Sequence, residues 1–407
     1  MRAEFSESTK QLLADRAGHE CSLPYCSNRT VAAGASPKDV AKVGQASHIY
    51  SAAPNGPRGR GGLTDAQLAD VSNGVWTCEL HGKEIDNNGG RGFQVGLLKE
   101  WKRLHEAKME RASTGKPIHQ WIERLSLLRT PLFSPKSTMY LGNVTVLSGP
   151  NSSGKTAICE WLAGFRDVAT LKRWVGHKSR QPINLELAFT HIQAYLLELE
   201  VLPGEHAQIS LDGVREPLTP AILDFVYLSR RYLDQSAGDD LSSLAKMFAV
   251  SPETITSLAK KICAKGDKRF LDLNFEVSAN EDDDEQADEP RRQLIVETHS
   301  PGERYPLESF GGGLETELLL AFAVELAKLK SRHHPTLLIL QASGWGFDEE
   351  QFRDIADRIN ECVGVCQVLV VEPSIRIDPE LSAAREWVRY TLVPSTQGGH
   401  RAAVVAG

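Results

Sequence analysis

The sequence predicts an α/β protein in two parts, a small N-terminal region and a larger core. Three observations predict it. Apolar strand-like runs alternate with amphipathic helices after about residue 135, a glycine-rich loop stands between one such strand and a helix, and residues 1–112 are rich in Gly, Asn, Arg and metal-ligating types. At 407 residues the chain exceeds the ~250–300 at which a single core stops growing, so at least two domains are expected.

The composition, 41% hydrophobic and 24% charged, is that of an ordinary globular protein. No apolar run approaches the ~18 residues needed to span a bilayer, and the start MRAEFSESTK has no apolar signal core, so a cytoplasmic protein with no membrane partner is expected. An odd count of seven cysteines argues for free thiols and a metal site over a disulfide framework. Cys159, Cys263, Cys362 and Cys366 lie in apolar surroundings and read as buried structural thiols. Part of the net charge of -7 sits in one acidic run, residues 281–289 (EDDDEQADE), which reads as a solvated loop.

The composition shift places a first domain at residues 1–112, a linker at 113–135 and a second domain at 136–407. ASTGKP (112–117) breaks the helix that ends the first region, Trp121 to Leu128 reads as a short connecting helix, and TPLFSPKST (130–138) carries two prolines. VTVLSG (144–149) then reads as a buried strand, and Lys155 to Phe165 as a helix with Ile158, Leu162 and Phe165 on one face. INLELAF (183–189) and LLELEVL (196–202) alternate as half-exposed, antiparallel strands. A helix over 240–265, strands at 270–279 and 292–298, a long helix over 314–329, the strand TLLIL (336–340), a helix over 349–362 and the strand QVLVV (367–371) follow. Fully apolar strands alternating with helices imply a parallel core.

GPNSSGKT, residues 149–156, matches G-x-x-x-x-G-K-[ST] in full, in the strand-loop-helix context the motif requires. Gly149, Asn151, Ser152, Ser153 and Gly154 would wrap backbone N–H groups around phosphate oxygens, Lys155 would reach the outer phosphates, and Thr156 would offer its hydroxyl to Mg2+. A nucleotide is the implied ligand. SFGGGLETELLLAFAVELA (309–327), opening with Ser309, Gly311 and Gly312, resembles the signature segment of ABC-type ATPases, and FVYLSRR (225–231) resembles a strand and arginine pair of that superfamily. The resemblance covers roughly 136–395 and implies an ABC-type P-loop fold in which the segment caps a nucleotide across a homodimer or higher homo-oligomer. It departs where hydrolysis is organised. Gln341 and Ala342 stand where the resemblance implies a metal-supporting aspartate and a water-aligning glutamate, and Glu372, Pro373 and Ser374 stand where it implies a switch histidine. Asp348 is expected in the dimer-contact loop that would follow, where it is not placed to replace them, and an approach by Glu372 from the neighbouring strand is the disfavoured alternative.

Cys21 with Cys26 and Cys78 with His81 form two close pairs of soft or borderline ligands, which suit a closed tetrahedral Zn2+ site. The segment around them, from about Leu12 to His105, resembles the HNH endonuclease family, implying a small zinc-bound ββα domain. By that resemblance His48 is the general base and Asn73 the asparagine that orders the site, while Ser47 and Gly82 replace the expected metal ligands. Arg58, Arg60, Arg91, Lys99, Lys102, Arg103, Lys108 and Arg111 suit either contact with nucleic acid, DNA foremost, or a solvated face.

Such a fusion resembles bacterial anti-phage defence machinery, where an ATPase gates a nuclease; the Septu type holds the two on separate chains. One expectation is a nucleotide-gated HNH endonuclease. The other is an ATP-binding sensor or scaffold whose effector activity lies in a second defence subunit. ATPases of the RecF or SMC kind share the fold, but no long coiled-coil heptads occur here.

Overall fold

The computed structural model describes residues 3–26, 28–114, 120–176, 181–191, 194–202, 204, 206–216, 222–229, 239–264, 269–277, 292–298, 302–342, 349–373, 385–394 and 402–406. The expected acidic loop, the arginine pair after 229, Asp348 and Ser374 lie outside these residues. No helix among them is long and apolar enough to cross a membrane.

Helix α1 (Glu7–Arg16), capped by Ser6, leads to a short antiparallel pair, β1 (Val31–Ala33) and β2 (Val40–Lys42). Strand β3 (Gly44–His48) pairs antiparallel with β4 (Gly74–Cys78); between them lies α2 (Asp65–Leu68), held by a Thr64/Gln67 capping box, and directly after them α3 (Glu79–Glu84). Helix α4 (Val95–Thr114) closes this region over Leu97, Leu98 and Trp101, all buried. Next come β5 (Trp121–Arg129), β6 (Ser137–Tyr140), β7 (Val144–Gly149), α5 (Lys155–Gly164), α6 (Lys172–Val175), β8 (Ile183–Thr190), β9 (Ala194–Leu202), β10 (His206–Leu211), β11 (Val214–Glu216) and β12 (Asp224–Leu228). The chain continues through α7 (Asp240–Phe248), α8 (Pro252–Ala264), β13 (Asp272–Val277), β14 (Arg292–Glu297), β15 (Arg304–Pro306), α9 (Gly312–Lys330), β16 (Thr336–Gln341), α10 (Glu349–Asn360), β17 (Gln367–Pro373), β18 (Val388–Pro394) and β19 (Ala402–Ala406).

The chain packs as two compact units, one of Met1–Lys155, Leu171–Pro220 and Pro373–Gly407, the other of Thr156–Thr170 and Ala221–Glu372. The first holds an antiparallel sheet in the order β11-β10-β9-β8-β5-β6, together with β7, β18 and β19, where β7 and β18 run parallel. Residues 1–112 belong to this same unit. The second holds the parallel order β12-β16-β17 and the antiparallel order β13-β14-β15.

Two local expectations are corrected. Trp121 to Leu128 is strand, not helix: a bulge between Ile122 and Arg124 lets Ile122 and Leu125 both face inward, so a strand shows helix-like spacing. The helix expected over 240–265 is two helices, because Ala249 adopts a left-handed φ of 50° that ends α7 and Pro252 opens α8. Of the four cysteines expected to be buried, Cys263 is only half-buried.

Candidate functional site

Cys21, Cys26, Cys78 and His81 come together, their ligand atoms all within 4.8 Å of one another. Cys78 ends β4 and His81 lies one turn into α3, so a strand end and a helix start aim both inward. His81 Nδ1 stands 3.6 Å from Cys21 Sγ and 3.2 Å from Cys78 Sγ. A tetrahedral Zn2+ with Zn–S of ~2.3 Å and Zn–N of ~2.0 Å sets such edges at roughly 3.5 Å, so the group fits that ion. Burial pushes the Cys21 thiol up to about 12 and raises Cys26 as well. A bound cation would reverse that preference and hold the sulfurs as thiolates. On the other ring nitrogen, His81 Nε2 stands 3.5 Å from Glu84 Oε2, and the Tyr25 hydroxyl donates to the same oxygen at 3.2 Å. A carboxylate there favours the proton on Nε2 and leaves Nδ1 as the ligand.

His48 ends β3 opposite Gly74. Its ring stacks on Phe5 at 3.8 Å between centroids, and Nε2 donates to the Ala3 carbonyl at 3.0 Å, so any base chemistry would fall to Nδ1. Asn73 is buried at 3% exposure; its amide donates to the carbonyls of Tyr50 and Leu68 and accepts from the Tyr50 N–H. It therefore braces the chain leaving β3.

At Ser47 and Gly82, where the HNH resemblance implies metal ligands, the space is filled by other side chains. Gly82 is buried, and a Cβ added there would overlap the Gln45 side-chain amide and meet Thr77 Oγ1 at 2.9 Å. Ser47 Oγ lies 2.9 Å from Thr77 Oγ1 and accepts from Gln45 Nε2 at 3.5 Å. Gln45 and Ser47 share a face of β3 by the two-residue period, and Thr77 is directly opposite Gln45 in the register. Neutral amide and hydroxyl groups occupy this pocket, and they offer a divalent cation no anionic or imidazole ligand.

Several basic residues expected at a nucleic-acid surface are engaged internally. The Arg58 side chain is 5% exposed and donates to the carbonyls of Ile49, Ile85 and His48 and to Asp86. Lys102 donates to the carbonyls of Val71 and Gly74. Arg60 pairs with Asp65, Lys99 with Glu386, Arg103 with Glu100 and Lys108 with Glu20, while Arg91 is exposed. The Arg111 side chain lies outside the described residues.

The phosphate loop follows β7 and enters α5 at Lys155. Gly154, at φ 101°, admits no Cβ, which would lie 2.6 Å from Phe133 Cζ; Ser152 also has positive φ. Asn151 and Ser152 are exposed. Lys155 is buried, with Nζ donating to the carbonyls of Gly149 (2.6 Å) and Pro150 (2.8 Å). Ser153 Oγ is a buried hydroxyl with no hydrogen-bond partner among the described residues, the kind of orphan an anion's oxygen would satisfy.

In the second unit, Thr156 Oγ1 accepts from Gln341 Nε2 at 3.0 Å, and Gln341 Oε1 accepts from the Tyr227 hydroxyl at 2.7 Å. The Thr156 hydroxyl is where Mg2+ would be held, but the group beside it is a neutral amide already bonded at both ends. That arrangement does not fit the ion's need for anionic oxygen. Ser309 and Gly311 are exposed, Gly311 caps α9 without a side-chain bond, and Gly312 is the first residue of that helix.

Within the first unit, side chains run from the thiol cluster to the phosphate loop. Tyr25, 5.2 Å from the His81 ring, lies 5.8 Å from the Tyr140 ring, and the Tyr140 N–H donates to the Tyr390 hydroxyl at 2.8 Å. Thr391 Oγ1 then lies 3.1 Å from Ser148 Oγ, next to Gly149. Just before α4, the Gln94 amide bonds both the N–H and the carbonyl of Arg389 on β18. Several of these working residues escaped the sequence reading. Glu84, three residues past His81, and Tyr25, beside Cys26, carried a signal in their spacing; Gln45 and Tyr227 show themselves only in register.

No protein-family model and no curated protein matches the chain. Among solved structures it is similar to an SMC head bound to the C-winged helix domain of ScpA, at 17% identity, a TM-score of 0.46 and coverage of 70% of this chain and 97% of that one. The SMC head domain from Thermotoga maritima is similar at 14% identity and a TM-score of 0.43, covering 70% of this chain and 99% of that one. The recombination mediator RecF with ATP is similar at 10% identity and a TM-score of 0.42, covering 67% of this chain and 95% of that one. At TM-scores below 0.5 these likenesses decide nothing about the site.

Proposed function

We propose that this chain is an ATP-binding sensor or scaffold of an anti-phage defence type, with an HNH-like zinc region that contacts DNA or a partner and with effector activity in another subunit. The observation that carries this reading is Gln45 lying over Gly82, beside Ser47 and Thr77, where a nuclease of that family would hold its catalytic metal. The phosphate loop supports the nucleotide half: its backbone N–H groups and Lys155 would grip the phosphates, and Ser153 Oγ would gain a partner. Gln341 and Ala342 provide no carboxylate to align a water, so ATP would act as a bound ligand more than as a fuel. The Ser309–Gly312 segment, exposed at Ser309 and Gly311, suits a second copy as the partner in a nucleotide-closed homodimer.

A nucleotide-gated nuclease is the second reading, favoured by His48 and Asn73 standing at the ends of an antiparallel β3–β4 pair that leads into α3. The deciding experiment is cleavage of plasmid and linear DNA by the purified chain, with Mg2+ or Mn2+, with and without ATP, beside His48→Ala. The sensor reading expects zinc and ATP to bind and no cut DNA. Cleavage abolished in the variant would replace it with the nuclease.

A further inference from the structure

We infer that nucleotide binding by this chain does not depend on magnesium, and that Gln341 is the residue that sets this; the inference rests on the nucleotide-binding reading above. Magnesium bound beside a triphosphate needs an anionic oxygen from the protein as well as a hydroxyl. Strand β16 ends in Gln341, whose amide bridges the Thr156 and Tyr227 hydroxyls at 3.0 and 2.7 Å. Which end of the amide faces which hydroxyl is set by the network, and the two orientations agree in the essential point. In one, Thr156 accepts from the amide and keeps its own proton for a phosphate oxygen. In the other, Gln341 accepts that proton and the amide donates to Tyr227. Both are neutral.

Among the described residues of β12 and β17, no acid shares the face of Gln341. Glu372 is buried at the end of β17, but the parallel register pairs Gln341 with Val371. Residues paired across a sheet share a face and successive residues alternate, so Glu372 points to the face opposite Gln341. Tyr227, paired with Ile339, has the parity of Gln341, which is why its hydroxyl reaches the amide. Ala342, the next residue, has no ligating atom.

A carboxylate at this strand end would repel a metal-free triphosphate. Unit charges roughly 6 Å apart at intermediate dielectric repel by on the order of a hundredfold in affinity. With a neutral amide that repulsion is absent. The ligand class is therefore a nucleoside triphosphate in its metal-free form, to which the Thr156 hydroxyl donates directly in the first of the two orientations.

The test is titration calorimetry of ATP into the zinc-loaded full chain, in resin-treated buffer without Mg2+ or chelator and in excess Mg2+, with zinc content checked after each run. Wild type is expected to bind with affinities that agree within about threefold, and Gln341→Asp to lose about tenfold or more without Mg2+ and regain it with Mg2+. A zinc-loaded wild type that weakens more than about threefold without Mg2+ overturns the inference while leaving nucleotide binding standing. No binding in either buffer, with the chain's melting transition intact, overturns both. Should Gln341→Asp fail to fold, the wild-type pair of titrations still decides.

Discussion

The side-chain amide of Gln45 lies where a side chain on Gly82 would have to go. The glycine on α3 and the glutamine on β3 thus form one complementary pair, and a larger residue at 82 requires Gln45 to leave. Gly82→His is expected to destabilise the chain by about 1–3 kcal/mol, the usual cost of overpacking. Adding Gln45→Ala should recover most of that loss. Thermal melts of the two variants check it, and a Gly82→His chain as stable as wild type would mean that Gln45 does not define this space.

Zinc content follows from the four ligands. The purified chain should carry about one zinc per chain, and Cys78→Ala should carry none. Glu84→Gln keeps the shape beside His81 but removes the charge that polarises the ring, and should weaken zinc roughly tenfold in competition with a colorimetric chelator. Unchanged affinity would reduce Glu84 to a surface neighbour of the ring.

Lys155 is buried against the carbonyls of its own loop, where its charge is held close to the backbone that would surround a phosphate. Lys155→Ala should weaken ATP by about 30-fold or more, since losing one member of a buried charged contact costs roughly 2–5 kcal/mol. Calorimetry at equal ionic strength measures it. Binding within about threefold of wild type would remove the loop from the site.

What was legible in the sequence is what is encoded by spacing along one segment. Cys21 with Cys26, Cys78 with His81, and the loop from Gly149 to Thr156 each lie within a single turn or strand-to-helix step; the first four place their ligand atoms within 4.8 Å of one another, and the loop joins β7 to α5. The strands β7, β16 and β17 were legible for a related reason, being buried on both faces and so apolar throughout. Strand β5 was not, because a bulge disguised its period. Gln45 was invisible as a site residue for a different reason. Its meaning depends on standing opposite Thr77 across β3 and β4, and register is a property of two strands. Gln341 was readable as a missing acid, but its bonds to Thr156 and Tyr227 belong to the fold.

Arg58 tests whether basic composition marks a nucleic-acid surface here. Its guanidinium binds three carbonyls and Asp86, so Arg58→Ala should cost about 3–5 kcal/mol by leaving those groups unsatisfied. Arg58→Lys should cost less but still lose the planar fork. A phosphate contact would act differently, lowering the salt slope of DNA binding by about one while sparing stability. A stable Arg58→Ala chain with a reduced salt slope would overturn the internal role.

The last prediction concerns coupling inside the first unit, from the thiol cluster through Tyr25, Tyr140 and Tyr390 to Ser148 beside the phosphate loop. Each step is a packed ring or a hydrogen bond, and Gln94 fixes the main chain of Arg389 next to Tyr390. If loss of zinc loosens Tyr25, the disturbance reaches the strand that pairs with β7. Couplings of this kind are commonly about 0.5–2 kcal/mol, so removing zinc should weaken ATP by roughly 2–30-fold. Linkage requires ATP to tighten zinc by the same factor, which gives an independent measurement. Tyr390→Phe removes the hydroxyl that accepts from Tyr140 while keeping the ring, and should shrink both effects together. Zinc-free protein that binds ATP as tightly as the zinc-loaded chain would show that the two sites share a scaffold without communicating.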